Sequence, residues 1–192
     1  MTVSRETRAA FERYVELLLK WNGAINLIGD EKDVWERHIL DCYQLVPLIP
    51  SEAKALVDLG SGAGLPGIIL AIATPLEITL VERDQRKASF LREAVRILAL
   101  TNVTVLAEEA KKLNQTYDVI TARAMASLDE LCGLAKPLMG TKSICLFPKG
   151  ENFVREIDEA SAHWQFDCVP IPSKTNKNSA IVSMTKLSER LG

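Results

Sequence analysis

Apolar residues recur near the start of the chain at helical spacing. Phe11, Val15, Leu18 and Trp21 form one stripe, which Tyr14 and Leu17 widen. The stripe predicts an amphipathic helix that ends at Asn22-Gly23. A second helix is predicted over Val34 to Leu45, stopping before Pro47. Beyond residue 50 the pattern changes, and short apolar runs alternate with helix-periodic ones. Strands are predicted at Ala55–Leu59, Glu77–Glu82, Asn102–Ala107, Tyr117–Arg123 and Ser143–Pro148. Between them fall helices at Pro66–Ala73, Gln85–Leu100, Leu128–Leu138 and Phe153–His163. "FDCVPI" and "SAIVSMTK" close the chain as two more strands with no helix signal between them.

Strand–helix alternation implies a mostly parallel sheet with helices on both faces and right-handed crossovers. The last two strands, joined by a loop alone, suggest an antiparallel hairpin at one edge. No linker or repeat divides the α/β part. The expectation is therefore a helical segment over residues 1–50 packed on a core over 51–192, one compact domain overall.

Composition narrows the picture a little. With 192 residues and 47% hydrophobic residues the chain can bury a sizeable core. No apolar run is long enough to span a bilayer, and the charged start has no signal-peptide layout. Cys42, Cys132, Cys145 and Cys168 are scattered without a CxxC pair, so neither a metal site nor a disulfide framework is expected. A reducing cytoplasm is the simplest home. A net charge of −2 argues against bulk binding to nucleic acid but allows a local basic patch. Arg83, Arg86, Lys87, Arg92 and Arg96 do crowd one helix region, where a solvated face is the plainer reading for most of them.

The candidate chemistry centres on "VDLGSGAGLPGI", a strand, a glycine-rich turn and a helix start. Gly60, Gly62 and Gly64 permit tight backbone turns and close approach of a ligand to backbone N–H groups. Glu82 closes the second strand, 22 positions after Gly60, where a carboxylate can accept hydrogen bonds from both hydroxyls of a ribose. The spacing is G-x-G-x-G, not the G-x-G-x-x-G of a dinucleotide site. Asp58 beside the turn suits a cationic ligand, directly or by orienting the loop, and would repel a pyrophosphate. No lysine follows the glycines as in a P-loop. S-adenosyl-L-methionine (AdoMet) therefore fits better than a nicotinamide dinucleotide. Seven strands with an antiparallel ending likewise fit the class I AdoMet-dependent methyltransferase fold, a Rossmann-like seven-stranded sheet, better than the six-stranded dinucleotide fold.

Several segments, in order, resemble the bacterial 16S rRNA guanine-N7 methyltransferases, the RsmG or GidB family. They are "WNGAINLIG" (Trp21 to Gly29), "RHILD" (Arg37 to Asp41), "DLGSGAGLPG" (Asp58 to Gly67), "TARA" (Thr121 to Ala124) and "KG" (Lys149, Gly150). The first two are the more specific, because many AdoMet enzymes share the glycine loop. The resemblance implies transfer of a methyl group from AdoMet to N7 of a guanosine in 16S rRNA, on the small ribosomal subunit or its assembly precursor. It implies that Gly60 and Leu65 lie against AdoMet, that Ala110 and Lys111 flank the adenine, and that Arg123 belongs to the cofactor site. Lys149 follows the fifth strand, where ligands of open α/β sheets sit, and is assigned to substrate RNA. Arg37 and His38 are placed there too, although a structural role for His38 is an equal alternative. Guanine N7 has a free lone pair and no proton to lose, so no acid–base residue and no metal is required; alignment carries the reaction. A monomer is expected. The alternatives are a methyltransferase acting on a small molecule or protein, a nicotinamide-dependent oxidoreductase, and a non-catalytic binding protein.

Overall fold

In the computed structural model, which describes residues 3–29 and 32–190, the chain forms six α-helices' worth of layers around one seven-stranded sheet. Helix α1 (Arg5–Ile25) begins at Ser4, whose hydroxyl accepts the Thr7 N–H. It buries Phe11, Tyr14, Leu17 and Leu18, the predicted stripe. It does not end at Asn22-Gly23 but runs on to Asn26, which adopts φ 49°. The reason lies in Asn22 itself. Its backbone carbonyl accepts the Asn26 N–H, and its side-chain Oδ1 accepts the Leu27 and Ile28 N–H groups at 2.7 and 2.8 Å. The residue expected to break the helix instead caps its exit. The predicted second helix is present in an irregular form: a π-helical stretch, Trp35–Leu40, continues into the short α2 (Asp41–Tyr43).

The α/β part follows as β1 (Ala55–Leu59), α3 (Gly67–Ala73), β2 (Glu77–Val81), α4 (Gln85–Ile97), β3 (Val103–Leu106), β4 (Tyr117–Ala122), α5 (Leu128–Ala135), β5 (Met139–Lys149), α6 (Phe153–Ser161), β6 (Trp164–Pro172) and β7 (Ala180–Glu189). The strand order is β3-β2-β1-β4-β5-β7-β6. The first five strands pair in parallel; β7 lies antiparallel between β5 and β6. Seven strands, mostly parallel with a terminal hairpin at the edge, match the expectation; the order itself comes from the structure.

Leu56, Val57, Asp58 and Leu59 of β1 are all buried, as a central parallel strand covered on both faces requires. On one face Phe11, Tyr14 and Leu18 of α1 join Ile68, Leu70 and Phe90 in a single hydrophobic cluster. On the other, Leu128 and Leu131 of α5 pack with Phe147 and Ala160. The chain reverses its direction of strand addition between β1 and β4, and the crevice beyond their C-terminal ends is where open α/β sheets hold ligands.

Candidate functional site: two adjoining cavities

Two cavities of about 790 and 750 Å3 open at that crevice, a size suited to small ligands. They share a wall made of Arg123, Ala124 and Ala126, the segment leaving β4.

The first cavity is built on the glycine loop. Ser61 holds the loop's base: its hydroxyl donates to the Asp58 carbonyl at 2.8 Å and accepts the Val81 N–H at 3.1 Å. Gly60 has φ +61°, which strains any residue with a side chain, and a Cβ built there would stand 2.7 Å from Met125 Cγ and push that side chain aside. Glu82 stands one residue past the end of β2 and lines the cavity. Its Oε2 accepts the Gly62 N–H at 2.9 Å and its Oε1 the Asp84 N–H at 2.8 Å. Both oxygens are thus fixed in place, and each retains a lone pair for a ribose hydroxyl. Leu65, Ala110 and Lys111 also line this cavity. Ala110 and Lys111 sit in a 3-10 turn, Ala110–Lys112, after β3, and Lys111 Nζ pairs with Glu109 Oε2 at 2.6 Å.

Asp58 is different. It is fully buried under the loop and is not part of the cavity wall. Its Oδ2 accepts the Gly67 N–H at 3.2 Å, while Oδ1 is buried with no hydrogen-bond partner. Of the two roles open to it, orienting the loop is the one its position serves. The same bond means that the first N–H of α3 is satisfied from inside rather than exposed to a ligand. Burial pushes the Asp58 carboxyl up to about 7, against the pull of the Gly67 hydrogen bond and of the Arg123 charge; Glu82 adds to the rise.

Tyr14 completes the loop's support and was legible in the sequence only as part of an apolar stripe. Its hydroxyl, wholly buried, donates to the Ala63 carbonyl at 2.5 Å. Burial drives its pKa well above the usual phenol value. A helix 49 residues upstream thereby grips the middle of the glycine turn.

The second cavity faces the π-helical stretch and the β6–β7 loop. Arg123 spans the two: Nη2 lies 3.2 Å from His38 Nδ1, and Nη1 lies 3.4 Å from the Arg37 carbonyl and 3.5 Å from Asp41 Oδ2. A guanidinium can only donate, so His38 Nδ1 accepts and the ring proton resides on Nε2, which is buried without a partner. Burial, helped by the charges of Arg123 and Arg37, lowers the His38 pKa to about 4. His38 is therefore neutral near neutral pH. Asp41 Oδ1 accepts from Gln44 Nε2 at 2.9 Å and from Thr175 Oγ1 at 2.6 Å, and Gln44 Oε1 accepts the Lys174 N–H at 2.8 Å. These bonds clamp the β6–β7 loop across the cavity, with Lys177 and Arg37 exposed on its rim.

Lys149 is on this cavity's floor, yet its ammonium is already engaged. Nζ meets Glu156 Oε2 at 2.5 Å and the Ala126 carbonyl at 2.9 Å, and the side chain is only 9% exposed. The basic cluster around α4 divides: Arg83, before the helix, and Lys87 line the first cavity, Arg86 donates to the Ala24 carbonyl at the end of α1, and Arg96 pairs with Glu93 on the surface. Trp21 packs on Phe90 at 5.8 Å, as core, and His163 pairs with Asp129 at the surface. Among the described residues no helix is long and apolar enough to cross a membrane.

Comparison with known proteins bears directly on this geometry. The model of the family described as rRNA small subunit methyltransferase G matches residues 7–182. A ribosomal RNA small subunit methyltransferase G from Gluconobacter oxydans is 48% identical over 187 residues, covering 96% of each chain. One of the same name from Cereibacter sphaeroides is 46% identical, covering 98% of this chain and 94% of its own. Among solved structures, a glycopeptide N-methyltransferase complexed with S-adenosyl-L-methionine superimposes with a TM-score of 0.62 at 9% identity, over 77% of this chain and 94% of that one.

Proposed function

The chain belongs to the rRNA small subunit methyltransferase G family, and from that membership we infer that it is an AdoMet-dependent enzyme methylating N7 of a guanosine in the 16S rRNA of the small ribosomal subunit. The observation that carries the reading is the pair of cavities meeting at one wall, Arg123 to Ala126, beyond the ends of β1 and β4. Such an arrangement lets a donor and an acceptor approach each other from opposite sides of one segment.

The residues of the first cavity fit the cofactor. A glycine turn that only small residues can form leaves room for it, and Glu82 presents a pre-ordered carboxylate to a ribose diol. Gly60, Gly62, Leu65, Glu82, Ala110 and Lys111 would hold AdoMet, with Asp58 and Tyr14 acting beneath the loop. When bound, AdoMet supplies an activated methyl group on a sulfonium. Arg123 holds the wall between the cavities and, through His38 and Asp41, ties it to the helical segment. Arg37 and Lys177 on the rim carry positive charge toward RNA phosphates. The guanine enters the second cavity from a loop or by extrusion from its stack. Guanine N7 needs no deprotonation. His38, neutral and already accepting from Arg123, is thus suited to shape the wall and not to remove a proton. The particle modified is the small subunit or its precursor, the protein acts as a monomer, and its place of action is the cytoplasm.

The test uses rRNA in which the target guanosine is replaced by its 7-deaza analogue. That base keeps its Watson–Crick edge and loses only the acceptor nitrogen. Labelled methyl transfer from AdoMet should occur to normal small subunits or rRNA and vanish with the analogue. Transfer at the normal rate to the analogue would exclude N7 as the acceptor.

A further inference from the structure

We propose that Lys149 and Glu156 are a positioning pair which holds the Arg123–Ala126 wall in register between the two cavities, and that Lys149 does not contact RNA phosphate. This rests on the methyltransferase reading above.

Among the described residues the wall is the only stretch bordering both cavities, and it has no regular secondary structure of its own. β4 ends at Ala122, Ala124 has φ +52°, and α5 starts at Leu128. Its position is therefore set from outside, by three attachments. Arg123 is held by His38 and Asp41. Met125 lies over Gly60. The third attachment is Lys149 with Glu156. Lys149 Nζ donates to the Ala126 carbonyl at 2.9 Å, and Glu156 Oε2 accepts both Lys149 Nζ at 2.5 Å and the Leu128 N–H at 2.9 Å. Lys149 Nζ thus holds Ala126 and Glu156 Oε2 holds Leu128, so the ion pair joins the end of β5 to both sides of Ser127, the N-cap of α5. Remove it, and Ala126 and Leu128 lose their shared anchor while Met125 and Arg123 lie one and three residues upstream of Ala126.

Electrostatics favours this role over phosphate binding. The Lys149 side chain is 9% exposed and in contact with a carboxylate, so a phosphate would have to displace Glu156 from a partly desolvated pair. Arg37 and Lys177 face solvent at the rim of the same cavity, and Lys177 makes no ion pair among the described residues.

The experiment compares Lys149→Met, Glu156→Gln and the double variant in the full-length protein, at temperatures where circular dichroism shows each folded. Three quantities are measured: single-turnover methyl transfer to small-subunit rRNA, the slope of log RNA affinity against log salt, and the NMR signal of the Met125 methyl group. Each single variant should slow transfer by about 10- to 100-fold, as misplacement of reacting groups by an ångström does. The double variant should be no slower than the worse single one. The Met125 signal should shift in all three, and the salt slope should stay as in the wild type.

A phosphate contact gives a different pattern. Lys149→Met would then reduce the salt slope by about 0.7–0.9, and Glu156→Gln, by freeing the ammonium, would tighten RNA binding and leave transfer intact. That result overturns the proposal, as does an unshifted Met125 signal with normal transfer in Glu156→Gln. If Lys149→Met does not fold, Glu156→Gln, which keeps the side chain's shape, decides alone. Failure of the wild type to methylate rRNA would count against the functional reading, whereas the Met125 signal would still report on the pair.

Discussion

At the scale of single residues, two titratable groups, one buried and one half-buried, respond to pH in opposite senses. Asp58 has a carboxyl raised to about 7 from an ordinary value of 3.8, so the fold favours its protonated form. The stability this contributes is present below pH 4 and is lost as pH rises through about 7. His38 has its pKa lowered from 6.5 to about 4, so the fold favours the neutral ring. Its contribution is present above pH 6.5 and is lost as pH falls through about 4. Asp58→Asn removes the first effect and leaves the second. The stability of Asp58→Asn relative to wild type should therefore rise between pH 5 and pH 8, measured by urea unfolding at each pH. A difference that stays constant across that range would show that Asp58 is ionised throughout. Asp58 was legible in the sequence as an acid beside the glycine loop, but its burial depends on α3 packing over it through Gly67, where an added Cβ would come within 2.2 Å of Leu80.

Between elements, the decisive contact joins α1 to the glycine loop. Tyr14 belongs to the apolar stripe of α1, and its ring packs as the pattern requires. Its hydroxyl does something the pattern cannot express: it satisfies a carbonyl in the middle of the glycine turn. Tyr14→Phe keeps the ring and leaves the Ala63 carbonyl buried without that donor, at a cost of about 1–3 kcal/mol. For a chain of this length that lowers the melting temperature by about 2–4 °C per kcal/mol. AdoMet affinity measured by calorimetry should fall as well, because the loop loses its support from below. A lower melting temperature with unchanged AdoMet affinity would reduce Tyr14 to a stabilising residue. The exit of α1 carries a related lesson. Asn22-Gly23 reads as a break, and local propensity supports that reading; the helix continues because Asn22 bonds three downstream N–H groups, Asn26, Leu27 and Ile28.

Over the whole molecule, a net charge of −2 coexists with two exposed cations, Arg37 and Lys177, which stand beside exposed Asp33 and Glu36 at the mouth of one cavity. Long stretches separate the contributors: Arg37 comes from the π-helical segment and Lys177 from the β6–β7 loop. Gln44 and Asp41 bring them together by clamping that loop. Lys177→Ala should weaken rRNA binding and lower the salt slope by about 0.7–0.9, with AdoMet affinity unchanged. The two affinities, measured by filter binding over a salt series and by calorimetry, separate the cavities. An unaltered salt slope would remove Lys177 from the RNA surface.

What the sequence determined by itself was whatever local periodicity and ordered motifs encode. Alternation of strand and helix patterns set the seven-stranded sheet, because burial on both faces demands continuous apolar strands and amphipathic helices. The glycine loop and Glu82 announced a nucleoside site, because only small residues turn so tightly and only an acid near that distance meets a ribose. Tertiary structure decided which polar side chains remain available. Asp58 and Lys149 are charged residues in motifs, and nothing local distinguishes a carboxylate facing a ligand from one sealed beneath a loop, or a free ammonium from one paired with a residue on the next helix. The Lys149 contact needs Glu156, seven positions along, and Ala126, twenty-three positions back, to converge at the end of β5. Tyr14 and Ala63 likewise meet only when α1 closes over the sheet. Burial and long-range partners decide the chemistry of a polar group, and both arise from packing that the chain adopts only as a whole.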